Sequence, residues 1–157
     1  MTSYYLFLKF LHIVSSTVLF GTGIGTAFSM WRAHRTGDAR VIAAATRSVV
    51  IADWLFTTPA VILQPVTGVA LAEVLGFPLT SPWLLAAIAL YVLIGACWLP
   101  VVWLQLRMRD LAESAAKNDR ALPFEYFRYY RIWFALGWPA FIGVVGVFGL
   151  MVWKPSL

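Results

Sequence analysis

The sequence predicts an all-α fold, a transmembrane four-helix bundle, and three observations carry that prediction. Hydrophobic residues make up 61% of the 157-residue chain and charged residues only 12%, about half the charge of an ordinary soluble domain. The apolar residues gather in four runs of about 20 residues, the length a helix needs to cross a ~30 Å hydrocarbon core. Ten of the 12 basic residues fall in or beside two of the connections between those runs. The whole chain, residues 1–157, reads as a single integral membrane domain whose surrounding partner is the lipid bilayer.

Span one covers residues 4–31. At about 100° per residue, Lys9, His12, Ser16 and Gly23 share one helical face, with Gly21 and Gly25 roughly opposite. A polar face and a small-residue face on one helix predict packing on two sides, hence a central place in the bundle. Residues 1–8 carry no basic side chain, and the apolar run outlasts the core of a signal peptide, so the segment is expected to be retained as a span. Thr36-Gly37-Asp38 then signals a turn, with Asp38 placed to cap the next helix. Residues 41–52 lead helically into span two, residues 54–73. Pro59 and Pro65 lie inside that span. Each removes a backbone hydrogen bond and should bend the helix, which a membrane bundle tolerates where a neighbour satisfies the freed carbonyl.

Residues 76–82 form a short uncharged turn. Span three covers 83–106, with Pro100 late in it, and should continue as helix to about residue 120. There Arg109, Glu113 and Lys117, four apart, are placed to pair along one face. Asn118-Asp119 and Pro123 break the helix. The aromatic and basic segment 124–131 suits an interfacial approach, and span four covers 132–153. Spaced glycines on spans one and four (Gly21 and Gly25; Gly143, Gly146 and Gly149) predict close helix contacts.

The connection after span one and its lead-in hold Arg32, Arg35, Arg40 and Arg47. The connection after span three holds Arg107, Arg109, Lys117, Arg120, Arg128 and Arg131. Lys9 and Lys154 alone lie at the opposite face. The positive-inside rule therefore predicts a bacterial cytoplasmic (inner) membrane protein with both basic loops inside and both termini outside. Trp31, Trp54, Trp103 and Trp133 mark the inner boundary, Trp83 and Trp153 the outer. This topology accounts for the net charge of +5 without nucleic acid, since no basic stretch lies away from a membrane boundary. Cys97, the one cysteine, excludes an intrachain disulfide or a thiolate metal cluster.

Ionisable and polar groups inside a span are the functional candidates. Lys9 lies at the outer rim, where it can snorkel or pair with Glu73. His12, one turn deeper, fits two readings: a histidine satisfied by Ser16 or a carbonyl, or a metal or haem ligand. His34 lies beyond the other boundary and cannot share a metal with His12, which leaves single-histidine ligation of haem b or a His12–Met151 pair. On span two, Asp53, Thr57, Gln64 and Gly68 form a polar stripe, read either as inter-helix hydrogen bonding or as the lining of a cavity or proton path. Asp53 also lies at the depth of Arg47 and Arg131, where an ion pair is the common arrangement. Neither a nucleotide-binding loop, a catalytic triad, HExxH nor CxxC occurs, so any enzymatic chemistry would be borne by a cofactor.

The chain resembles a bacterial family of predicted integral membrane proteins classed as domain of unknown function 2269. The residues that carry the resemblance are Leu8-Lys9-Phe10-Leu11-His12, residues 21–28, Trp31-Arg32-Ala33-His34-Arg35, Asp53-Trp54-Leu55-Phe56-Thr57-Thr58-Pro59-Ala60, Gln64-Pro65, Gly68 and Trp98-Leu99-Pro100-Val101-Val102-Trp103-Leu104-Gln105. The resemblance implies a four-span inner-membrane protein and no particular activity. Lys9-x-x-His12 is also similar to the opening of the first span in the haem-containing membrane protoporphyrinogen oxidase family and the copper-resistance D-like domains, where it implies a haem-ligating role for His12. The later lysine- and arginine-bearing motifs of that oxidase family are not evident here.

Three functions remain open from the sequence. One is a b-haem-binding or redox-linked membrane protein, with His12 as axial ligand and Lys9 steering an anionic group. Another is a small transporter or channel component using Asp53, Thr57 and Gln64. The third is a structural or assembly subunit of a membrane complex, or a homo-oligomer.

Overall fold

The computed structural model describes residues 2–155, and all four apolar runs in it are helical, with no strand among the described residues. The elements are α1 (Thr2–His34), α2 (Ala39–Ala52), a π-helical turn (Asp53–Thr57), α3 (Thr58–Val74), α4 (Pro82–Lys117) and α5 (Phe124–Trp153). α2, the π turn and α3 run on without a break, so there are four rods long and apolar enough to cross a membrane.

Local chemistry explains the joints. Gly37 takes a positive φ of 66°, and Asp38 Oδ1 then accepts from the Arg40 backbone N–H at 2.8 Å, capping α2 as its position predicts. In the π turn the Thr58 N–H reaches back five residues to the Asp53 carbonyl. Pro59 follows immediately and has no N–H to give Leu55, so the α pattern could not have run through unbroken. Pro65 deprives the Val61 carbonyl of its usual donor, and the Tyr91 hydroxyl of α4 donates to that carbonyl instead. The neighbour that a membrane proline requires is thus a side chain of the third rod.

α4 packs extensively on α5 and α2, while α1 packs on α3 and α2 and barely touches α5. Span one is therefore not central; the second rod and α4 are, each packing on two neighbours. The glycine face of span one shows why. A Cβ at Gly21 or Gly25 would meet nothing within 4 Å, whereas one at Gly143 would lie 2.8 Å from Ile94 Cγ1 and one at Gly146 3.2 Å from Leu90 Cδ1. Among the described glycines, the inter-helix approaches tighter than ordinary contact are those of α5 on α4.

The best-packed core sits at the basic end of the rods, around Met30, Ile42, Val49, Met108, Tyr126 and Trp133. Segment 124–131 thus does more than approach the membrane: it opens α5, and Tyr126 and Tyr130 are buried there. The His34 ring stacks on Tyr130 with centroids 3.6 Å apart and planes 4° from parallel. A smaller cluster of Ala72, Trp83 and Leu84 closes the opposite end. Surface charges pair across elements and between sequence neighbours on α4. Arg47 meets Glu113 at 2.8 Å, Arg109 turns to Asp110 at 2.7 Å, and Arg40 meets Asp119 at 3.1 Å. The expected Arg109–Glu113–Lys117 ladder does not form, because α2 brings a cation to Glu113.

Candidate functional site

The polar stripe of the second rod divides into two parts with different surroundings. Toward the end that carries the termini it holds helices together. Gln64 Nε2 donates to the His12 carbonyl at 2.8 Å and to Ser15 Oγ at 2.6 Å. Thr67 Oγ1 donates to the Leu63 carbonyl at 2.6 Å and lies 2.8 Å from His12 Nδ1. With its hydroxyl hydrogen committed to Leu63, Thr67 accepts from Nδ1–H, which assigns the tautomer and leaves the lone pair on Nε2. Gly68 gives the ring its room: a Cβ there would stand 3.4 Å from His12 Cε1. Ser16, one candidate partner of His12, bonds the Ile13 carbonyl instead.

The other residues singled out near His12 are dispersed. The Lys9 amine lies over the Tyr5 ring, 5.7 Å from its centroid, and among the described ion pairs there is none between Lys9 and Glu73. Met151 packs against the Ala72–Trp83–Leu84 cluster. His34 lies at the far end of α1, 3.3 Å from the Tyr126 hydroxyl through Nδ1. Among the described residues no three His, Cys, Asp or Glu side chains come together.

Toward the basic end the same stripe faces a cavity of about 580 Å³, lined by α1, the π turn, α3, α4 and α5. None of Lys9, His12 or Met151 lines it. The back wall is formed by Asp53, Thr57 and Val61 on one side and Tyr91, Trp98 and Gln105 of α4 on the other. The cavity is not enclosed, and α1 and α5, which both line it, barely touch, leaving a seam between them. Phe20 stacks on Phe141 and meets Phe148 edge-on at one end of this seam, and His34 meets Tyr126 and Tyr130 at the other. Between these closures Gly23 and Ala27 of α1 face the cavity along with Gly137 and Ala140 of α5. Trp31, Phe134 and Trp138, which also line the cavity, stand partly exposed.

The polar groups lie at the basic end of the cavity. Thr57 Oγ1 donates to Asp53 Oδ1 at 2.8 Å. The Gln105 side chain stands beside the Asp53 carboxyl, and Asp53 Oδ2, Gln105 Oε1 and Trp133 Nε1 have no partner at full hydrogen-bond geometry, although Asp53, Gln105 and Trp133 are only 6, 5 and 6% exposed. The expected ion pair of Asp53 does not form, since Arg47 is taken by Glu113. Native structures leave few buried polar atoms unpaired. Three at one end of one cavity are unlike random defects. All three residues line that end of the cavity, and the atoms themselves lie just beneath its surface, two acceptors and one donor that a small side-chain shift turns toward the space.

The family model described as "Predicted integral membrane protein (DUF2269)" matches residues 6–155. The chain belongs to this family. No curated protein and no solved structure matches it. The family assignment agrees with the four crossings and carries no activity, so the chemistry of this DUF2269 protein rests on the cavity. Sequence reasoning found Asp53 and Thr57 there and missed Gln105, Trp133 and Tyr91. A signal existed for Gln105 and Trp133, though not for mid-span Tyr91. Gln105 lies at the inner end of span three, at the depth of Asp53 and of boundary Trp133, so the three were level before any fold was known.

Proposed function

We propose that this protein binds an amphiphile dissolved in the bilayer, admitting it sideways through the α1–α5 seam. The observation that carries the reading is the combination of a half-open apolar cavity with three unpaired buried polar atoms gathered at one end. Ligand sites have this composition: mostly apolar walls with a few convergent polar groups that set orientation. With the basic loops in the cytoplasm of a bacterial inner membrane, as their arginines favour, the polar end sits at the inner interface. An inner-leaflet amphiphile would enter with its head already at that level and its tail toward the bilayer centre.

The test is the content of the purified protein. Organic extracts of the detergent-solubilised wild type should hold an amphiphile in near-stoichiometric amount. Gly137→Trp, which fills the cavity, should lose it. Identical extracts from both would sink the reading and turn attention to a structural role within a larger membrane complex.

A second reading, b-haem on His12, is favoured by one observation: Thr67 and Gly68 hold the imidazole with Nε2 uncommitted, the kind of support a ligating histidine needs. Met151, on a different cluster, supplies no evident second ligand to it. A visible absorption spectrum of the oxidised and reduced protein separates the two readings. Haem bands lost in His12→Ala would favour haem, and a featureless spectrum after haem supplementation would remove it.

A further inference from the structure

We infer that the head group taken by the cavity is a neutral hydroxylated aromatic ring, of the phenol or hydroquinone type. The inference rests on the amphiphile reading above and deepens it by naming the ligand chemistry.

Hydrogen-bond complementarity is the first argument. Asp53 Oδ2 and Gln105 Oε1 call for donors, and Trp133 Nε1–H calls for an acceptor. An ammonium head donates but cannot accept, so the indole N–H would stay unpaired. A carboxylate or phosphate head accepts but cannot donate, and brings an anion against Asp53. A hydroxyl does both through one oxygen. It also pairs with Oδ2 whether the carboxyl is ionised or protonated, since it can donate in the first case and accept in the second. Two ring hydroxyls would serve both acceptors and leave lone pairs for the indole.

Shape is the second argument. The walls beside these atoms are flat, with Trp31, Trp98, Phe134 and Trp138 around the space. Gly95 and Gly137 face it as well, and a Cβ at either would meet nothing within 4 Å. Planar faces with bare backbone between them suit a ring, which stacks on aromatics offset or edge-on. A volume of about 580 Å³ holds a substituted ring with several tail carbons. The rest of the tail leaves through the seam.

The experiment compares three probes that share a decyl tail: decyl-hydroquinone, its dimethyl ether and decyltrimethylammonium. Binding to detergent-solubilised full-length protein is read from tryptophan fluorescence, since four tryptophans line the cavity. Saturable binding of the hydroquinone is expected, at least about tenfold tighter than the ether, which has lost both O–H donors. Gln105→Leu and Trp133→Phe should each narrow that preference, and Asp53→Asn should alter it, with the elution volume and melting temperature of each variant confirming that it is folded. Equal binding of hydroquinone and ether, or tighter binding of the ammonium probe, overturns the head-group assignment. If Gly137→Trp still abolishes binding in that case, the amphiphile reading stands alone. No saturable binding of any probe also overturns the assignment, and the extract comparison then decides whether the amphiphile reading falls with it.

Discussion

Asp53 and Gln64 lie about three turns apart on one rod and carry similar polarity in sequence, but they have different work. Gln64 makes two hydrogen bonds to α1. Polar bonds between membrane helices average about 0.6 kcal/mol each, so Gln64→Leu should lower the unfolding free energy in a detergent titration by about 1 kcal/mol while leaving the extracted amphiphile unchanged. Asp53→Asn should do the reverse, altering retention with little effect on that titration. If both substitutions act only on stability, Asp53 is a packing residue. Tyr91 offers a sharper residue-scale test. Its hydroxyl serves the carbonyl that Pro65 leaves free, so Tyr91→Phe should cost about 1 kcal/mol. In a Pro65→Ala background the backbone N–H restored by the substitution takes over, and the same change should cost close to nothing. Equal costs in the two backgrounds would show that the bond contributes nothing.

At the scale of elements, the π turn aims the site. Its extra residue puts Asp53 and Thr57 on the cavity face while α2 keeps Ile42 and Val49 in the basic-end core. Deleting exposed Phe56 should restore the α pattern, leave α2 and α3 nearly in phase, and shorten the Asp53-to-Thr57 spacing from four residues to three, altering the bond between their side chains at the cavity wall. The expected outcome is an inserted, helical protein that retains no amphiphile, checked by circular dichroism and extraction. Helix contacts make a second prediction. Gly143→Ala forces a methyl into Ile94 and should destabilise the α4–α5 pair by about 1–2 kcal/mol. Gly25→Ala meets open space and should stay within about ±0.5 kcal/mol. The two measurements together test whether close packing belongs to α5 and not to α1.

Across the whole molecule, the buried hydrophobic clusters lie at the two ends, α4 and α5 meet closely between them, and the middle is open along the α1–α5 seam. Within lipid there is no hydrophobic gain from bringing apolar helices together, because lipid tails are as apolar as leucine. Near the interfaces water returns, and burial of Met30, Met108 and Tyr126 is rewarded. A cavity opening into hydrocarbon therefore costs less than one opening into water, which lets the α1–α5 seam stay parted. The orientation proposed for this bundle makes a plain prediction. In a Cys97→Ala background, Gly37→Cys and Asp119→Cys should resist a membrane-impermeant thiol reagent in intact cells, and Leu79→Cys should react. The opposite pattern would put the polar end of the cavity at the outer interface.

Composition and run length were enough to determine the helical class, the four crossings and the placing of basic loops at one end, because membrane thickness and backbone hydrogen bonding leave a long apolar segment almost no other structure. Single-residue chemistry also determined the Asp38 cap and the need of Pro65 for a foreign donor. The partners were a different matter. Whether Glu113 meets Arg109 or Arg47, whether Gly25 meets a helix, and whether Asp53 meets an arginine or a cavity depend on how each rod is rotated about its axis. That rotation is set by contacts among all the rods and by the one-residue insertion at Asp53–Thr57, and no single helix carries it in its own periodicity. Only the tertiary structure could bring Asp53, Gln105 and Trp133, from three different rods, to the end of one cavity.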